Sequence, residues 1–247
     1  MKRIRKSNKH YRRPGHLIVR QFLNKAWDGQ LKQYVNCTYP DFKKDGRMER
    51  LLLSEQHHKC CYCMRSLGYG VHTTIEHVLP HKEADPQNAD KYFRYCGNLR
   101  KHVRLYLIGA ENRNVKLKVP KYPHFCAYEN LVLSCDGSIY DDIVRSGIPT
   151  GRLHNCCNNA RGKNYIVPLF FKRHIEKYVE YDDDGNLKRT DRMPEAMWLD
   201  FVETVNRLRL NQGTLKLFRK AWRLFCQYSF FHTYYKNKKN ILPIPSC

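Results

Sequence analysis

The chain has 247 residues, of which 42% are hydrophobic and 13% aromatic, a composition that excludes a disordered chain and allows a sizeable core. It carries 45 Lys and Arg against 23 Asp and Glu, a formal charge of +22, and no stretch approaches the roughly 18 apolar residues of a membrane span. This charge attracts polyanions, so nucleic acid is the leading partner, although a solubilising surface or an acidic protein partner would carry the same charge.

The first half of the chain is predicted to form helices around a single strand. The predicted segments are a basic arm at 1–30 containing a helix at 16–27, a helix at 45–57, a strand at 71–78, and an insertion at 81–126 that is helical through 89–107. The spacing of apolar residues indicates the helices, and the β-branched residues indicate the strand.

The second half is predicted to contain one strand, a hairpin and more helices. In order it reads as a strand at 129–135, a loop at 136–153, a helix from 157, a hairpin at 178–189, and helices at 194–209 and 214–228. In the last helix, Leu215, Phe218, Trp222 and Phe225 form one apolar stripe, which predicts core packing. The fold class predicted from these elements is α+β.

The eleven cysteines point to metal binding. No secretory signal is recognisable, which favours the cytoplasm and reduced thiols over a disulfide framework. Cys60-x-x-Cys63 has the spacing of half a zinc site, and Cys135 and Cys157 are the best candidates for the other half. Three further residues are alternatives at these positions: His154, Cys61 and Cys156.

Between the two predicted halves of the zinc site lies Ile75-Glu76-His77-Val78-Leu79-Pro80. Further on come Asn130-Leu131 and then Cys157-Asn158-x-x-Arg161-Gly162-Lys163-Asn164. Each piece alone favours an ordinary salt bridge, turn or cap. Together, over residues 55–165, they resemble the HNH endonucleases, whose pattern is C-x-x-C, an acidic residue and His before Pro, an Asn-Leu strand, and C-[HND]-x-x-[KR]-G.

This resemblance implies a ββα-metal core at 55–170 with a structural zinc, between N-terminal helices (1–54) and a basic helical region (171–247). His77, neutral near pH 7, would take a proton from the attacking water. The remaining roles implied are Mg²⁺ or Mn²⁺ binding by Glu76 and Asn158, bracing of the His77 loop by Asn130, and phosphate binding by Arg161 and Lys163.

Within the HNH endonucleases the chain looks most like the nuclease subunit of Septu anti-phage systems, also found beside retrons (PtuB-type). Met1-Lys-Arg-Ile-Arg-Lys6, Glu55-Gln56 and Leu133-Ser-Cys-Asp-Gly137 carry this resemblance. It implies an ABC-type ATPase partner (PtuA-like). DNA is the expected substrate and an RNA such as tRNA the second choice, since phosphate contacts do not distinguish them. A zinc-dependent nucleic-acid-binding module without catalysis is the alternative function.

Overall fold

The computed structural model of the protein describes residues 1–70, 72–82, 90, 92–93, 96–105, 116–117, 121–137, 156–162 and 164–239. Within them the fold is α+β. The described helices are α1 (Lys9–Ala26), α2 (Tyr39–Lys43), α3 (Arg47–Glu55), α4 (Gly97–His102), α5 (Cys157–Arg161), α6 (Ile175–Tyr178), α7 (Trp198–Arg207) and α8 (Gly213–Lys239). Among the described helices, we find none that is both long and apolar enough to cross a bilayer.

The strands form small two-stranded sheets. They are β1 (Trp27–Asp28), β2 (Gln33–Tyr34), β3 (Thr73–His77), β4 (Val103–Arg104), β5 (Tyr122–Pro123), β6 (Leu131–Cys135), β7 (Val179–Tyr181) and β8 (Leu187–Arg189). β1–β2, β3–β6 and β7–β8 are antiparallel, whereas β4–β5 is parallel. The predicted hairpin at 178–189 is therefore confirmed, and so is the strand predicted at 129–135, which begins at Leu131.

Helix α1 starts earlier than the predicted helix at 16–27. The Asn8 side chain accepts a hydrogen bond from the backbone N–H of His10 (3.1 Å), which caps the helix before its first turn. Gly15 lets the helix lie directly on Tyr128, since a Cβ at Gly15 would come within 2.6 Å of that ring. The sequence prediction was therefore wrong in treating residues 9–15 as an irregular arm.

The residues ahead of α1 are also anchored. The backbone N–H of Ile4 donates to the carbonyl of Phe170 (2.8 Å), and the buried Lys6 pairs with the buried Glu55. Tyr128 donates its hydroxyl to Glu55 as well, and the Lys6 ammonium lies 4.2 Å from the centre of the Tyr128 ring. This network joins the first residues to α3 and to the segment that leads into β6.

The antiparallel pair β3–β6 is the centre of the fold. Its register runs from Thr73 opposite Cys135 to His77 opposite Leu131. Every residue of β6 is buried, because α3 and α5 both pack against this strand. A strand covered on both faces reads as a continuous apolar run rather than an alternating one, as Leu131-Val-Leu133 does.

The C-terminal region packs on this centre. The backbone N–H of Cys157 in α5 donates to the carbonyl of Leu208, just after α7 (3.0 Å). Gly185 in the β7–β8 turn lies so close to α8 that a Cβ would come within 2.4 Å of the Lys216 carbonyl. Arg219 of α8 donates to the carbonyls of Gly185 (3.0 Å) and Leu210 (2.7 Å).

The prediction that the apolar stripe of α8 packs into the core is wrong. Leu215 is buried, but Phe218, Trp222 and Phe225 are 38%, 60% and 54% exposed. Phe218 lies under the guanidinium of Arg65, 5.5 Å from it, whereas the rings of Trp222 and Phe225 stack on each other and stay more than half exposed. Periodicity identified an apolar face but not what covers it.

Two further predictions fall largely outside the described residues. Within the insertion at 81–126, α4 bears out part of the predicted helix at 89–107, and the segments 83–89 and 106–115 lie outside the description. The loop predicted at 136–153 is described only at Asp136 and Gly137.

Candidate functional site

Cys60 and Cys63 lie in a tight turn directly after α3. The backbone N–H of Cys60 donates to the carbonyl of Arg65 (2.8 Å), and that of Met64 donates to the carbonyl of Cys60 (3.1 Å). The Sγ of Cys60 faces two backbone N–H groups, those of Tyr62 (3.4 Å) and Cys135 (3.3 Å). Such donors stabilise a thiolate, so the turn prepares Cys60 to act as a metal ligand.

The structure brings Cys60, Cys63, Cys135 and Cys157 together in one buried group, with all four Sγ atoms within 4.8 Å of one another. The Sγ atoms of Cys63 and Cys135 are 3.8 Å apart. A tetrahedral zinc site with Zn–S bonds of about 2.3 Å has sulfur–sulfur edges of about 3.8 Å. The group therefore fits a metal ion such as zinc, and none of the described cysteines forms a disulfide.

The alternative ligands fall outside this group. Cys61 and Cys156 are buried next to it, and the Cys156 thiol contacts Cys135 and Cys157 as well as the carbonyl of Gly137 (3.8 Å) without belonging to the close group of four. His154 lies outside the described residues. The doubled cysteines at both positions left the ligand choice open in the sequence, and the mutual distances of the four Sγ atoms favour Cys60 and Cys157 over their neighbours.

Hydrogen bonds between the cysteines favour thiolates at Cys60 and at the neighbouring Cys156, because donation from Cys135 and Cys157 lowers the pKa of Cys156 to about 4. Burial opposes ionisation of Cys60, but S–H donation from Cys135 and Cys157 outweighs it and lowers the Cys60 pKa well below its usual value. The guanidinium of Arg65 is close enough for its charge to interact with these sulfurs. A tetrathiolate zinc site is doubly negative, so a neighbouring cation stabilises it.

Gln56 supports the cluster, and sequence reasoning gave it no role there. Its amide nitrogen donates to the carbonyls of Lys59 and Leu133 (both 2.9 Å), and its oxygen accepts from the N–H of Leu133 (2.7 Å). This buried side chain thus ties the end of α3 to β6. The signal available in the sequence was the Glu55-Gln56 pair shortly before the C-x-x-C, which entered the family resemblance without a structural role.

His77 is the last residue of β3 and pairs with Leu131 of β6. Cys135 lies at the other end of this strand pair, opposite Thr73. Its Nε2 is 2.9 Å from the carbonyl of Phe125. A carbonyl can only accept, so in the neutral ring Nε2 carries the hydrogen and Nδ1 is the basic atom. Burial lowers the pKa of His77 to about 3, and the nearby His81 and His124 act in the same direction. The ring is therefore neutral at neutral pH.

Asn130 fixes the two loops that flank His77. Its Oδ1 accepts from the N–H of Leu79 (2.7 Å), and its Nδ2 donates to the carbonyls of Leu79 (2.8 Å) and His124 (2.7 Å). Leu79 follows His77 by two residues, and His124 precedes the Phe125 that His77 contacts. These are the contacts that a bracing role requires, and all three of them are buried.

Glu76 and Arg161 form a buried ion pair beside His77. Arg161 donates a hydrogen bond from one guanidinium nitrogen to Glu76 and from the other to the carbonyl of Val78 (3.3 Å). The side chains of Arg161 and Glu76 are 6% and 5% exposed. Burial opposes the charge on Arg161, but Tyr62 and Glu76 outweigh it and raise the Arg161 pKa. Arg161 thus serves as counter-charge to Glu76 rather than facing solvent. Lys163 lies outside the described residues.

Glu76, His77, Asn158 and Arg161 line a single open cleft. Tyr39 packs edge-on against His77, with ring centres 4.4 Å apart, and the ring of His81 lies 5.1 Å from that of His77. Sequence reasoning missed Tyr39 and His81, because neither belongs to a spaced motif. The cleft thus combines a neutral imidazole, an amide, and a carboxylate that is paired with a guanidinium.

No family model matches the chain, and no curated protein was found similar to it.

Proposed function

We propose that the protein is a divalent-metal-dependent HNH endonuclease. One observation carries the proposal: a neutral His77, oriented by the Phe125 carbonyl, shares a cleft with Glu76 and Asn158. The antiparallel pair β3–β6 with α5 packed on it, stapled by the four cysteines, supports a ββα-metal core. The charge of +22 supports a polyanionic substrate.

In this mechanism His77 accepts through Nδ1 the proton of a water molecule, whose oxygen attacks phosphorus while the bond to the leaving oxygen breaks. The negative phosphodiester favours the protonated imidazole and so raises the His77 pKa on binding. Glu76 and Asn158 line the same cleft and would supply oxygen donors to a hard ion, with the Glu76 carboxylate exchanging its pairing with Arg161 for the metal. Mg²⁺ or Mn²⁺ held there would supply positive charge to the scissile phosphate.

The substrate proposed is DNA, with a structured RNA such as tRNA as the second candidate. Cleavage of plasmid DNA and of total tRNA with Mg²⁺ or Mn²⁺ tests both. We expect His77→Ala to lose about 10²–10⁴-fold in rate, the usual contribution of a general base. His10→Ala, which removes an exposed histidine of α1, is the matched control and should cut at the wild-type rate.

The variant must retain its cysteine-bound metal, so that a loss of folding is not taken for a loss of chemistry. Equal cutting by wild type and a metal-loaded His77→Ala would remove His77 from the mechanism. Binding of either nucleic acid without cleavage, with a copurified ATPase partner and nucleotide present, would favour the non-catalytic zinc module.

We further propose that α8 carries the contact to an ABC-type ATPase subunit. Trp222, Phe225 and Tyr228 expose an apolar surface, and the sequence holds no acidic residue after Glu203, so an apolar surface with acidic neighbours would complement it. Coexpression with a Septu-type ATPase tests this. Trp222→Ser should abolish co-elution, and Leu199→Ser, which changes a 78% exposed residue of α7, should not.

A further inference from the structure

A second group of metal-ligating side chains lies apart from both the cysteines and the cleft. His16 of α1, His102 at the end of α4 and Glu129 before β6 converge, with one ligand atom of each within 4.8 Å of the other two. The Nε2 of His16 is 2.7 Å from Oε1 of Glu129, and the rings of His16 and His102 are 5.3 Å apart. Three segments distant in sequence thus meet at one point.

Several polar atoms of this group have no protein partner. Oε2 of Glu129 and both ring nitrogens of His102 are buried without a hydrogen bond in the described part of the chain. They make up three of the eleven such atoms among the described residues. Leaving a buried polar atom unpaired costs about 1–3 kcal/mol, so an ion that engages Glu129 and one ring nitrogen of His102 would recover part of this free energy.

The buried charge of Glu129 favours a cation at this point. Its carboxylate is completely buried, and within the described part of the chain His16 is the partner at hydrogen-bonding distance. A divalent ion would compensate this charge, and a ring nitrogen of His102 without a partner among the described residues supplies the lone pair that such an ion needs.

We propose that His16, His102 and Glu129 bind a second zinc ion, with a fourth position left for water. Zinc bonds of about 2.0–2.1 Å to nitrogen and oxygen require ligand atoms about 3.3 Å apart in a tetrahedron. The separations here, from 2.7 Å up to at most 4.8 Å, span that value, so small side-chain rotations suffice. The aromatic ring of Tyr122, 4.8 Å from that of His16, helps enclose the group.

This ion would join α1 and α4 to the segment that positions the cleft. Asn130, which holds the loops around His77, directly follows Glu129 in the same 3-10 turn. A metal bound at Glu129 therefore fixes the turn from which Asn130 makes its three hydrogen bonds. The inference itself does not depend on nuclease activity, because it concerns only metal binding.

Zinc content per chain, measured on purified full-length protein by elemental analysis, tests the proposal. We expect about two zinc ions in wild type and about one in His102→Ala, with the cysteine site retained. Substitution of Co²⁺ for zinc shows the thiolate site separately through its sulfur-to-metal absorption, which should be unchanged in His102→Ala and in a second variant, His16→Ala. His10→Ala should keep the wild-type zinc content.

His77→Ala distinguishes this group from the cleft and should also keep both ions. Loss of the second ion in His77→Ala, with retention in His102→Ala, would place that ion in the cleft and overturn the inference. If the wild type held only one zinc ion after equilibration with excess Zn²⁺, His16 and Glu129 would be no more than a structural pair, and the inference would be overturned.

Discussion

The cysteine cluster and the His77 cleft lie at opposite ends of the same strand pair, yet they are built differently. The four cysteine sulfurs face one another, are buried, and already have the spacing that a metal ion needs. The side chains of the cleft instead face separate partners: Glu76 faces Arg161, and His77 faces the Phe125 carbonyl. A site complete in itself stabilises the fold, whereas an open cleft leaves room for an outside molecule.

This comparison predicts that cluster substitutions destabilise the fold more than cleft substitutions do. The largest effect is expected for Cys157→Ser. Structural zinc contributes about 10–16 kcal/mol in small zinc domains, which matches or exceeds the roughly 5–15 kcal/mol total stability of a protein. We therefore expect loss of zinc and of cooperative unfolding, measured by elemental analysis and circular dichroism.

Cys156→Ser is the matched control, since Cys156 adjoins Cys157 and is buried but stands outside the group. Its effect should be about 1 kcal/mol, the size of an ordinary substitution. If the two serine variants lost zinc equally, the ligand assignment would be wrong.

A smaller effect is expected for Asn130→Ala. The change leaves the Leu79 N–H and two carbonyls buried without a partner, so the free energy of unfolding should fall by about 3 kcal/mol. Because the same contacts hold the loops around His77, cleavage should fall too while zinc is retained. Denaturant unfolding and elemental analysis check this, and unchanged stability would show that the bracing contacts contribute little.

The smallest effect concerns pH. His77 has a pKa of about 3 in the folded protein and of about 6.5 when unfolded, so between these two pH values mainly the unfolded state binds this proton. The contribution of His77 to the free energy of unfolding is therefore fully present above pH 6.5. It falls by about 1.4 kcal/mol for each pH unit below 6.5, which amounts to about 2 kcal/mol at pH 5.

Denaturant unfolding at pH 7 and pH 5, without added Mg²⁺ or Mn²⁺, checks the pH effect. His77→Ala lacks this proton and should show a correspondingly smaller loss of stability between the two pH values. Identical losses in the two proteins would mean that other groups carry the pH dependence.

Local sequence patterns predicted much of this structure. The helix at 45–57, the strands at 71–78 and 129–135 and the hairpin at 178–189 all correspond to observed elements, because short-range periodicity and turn residues dictate them. The early start of α1 was missed because a single side-chain cap at Asn8 decided it. The core prediction for α8 failed because a helix pattern cannot state what lies beneath the helix.

The residue types and their spacing are readable from the chain alone: a C-x-x-C, a Glu-His before proline, and a large excess of positive charge. Folding selects which cysteine of each doubled pair joins the close group of four, pairs Arg161 with Glu76, and brings His16, His102 and Glu129 together. Those outcomes depend on contacts between residues far apart in the chain, where spacing carries no information and packing and charge compensation select the partner.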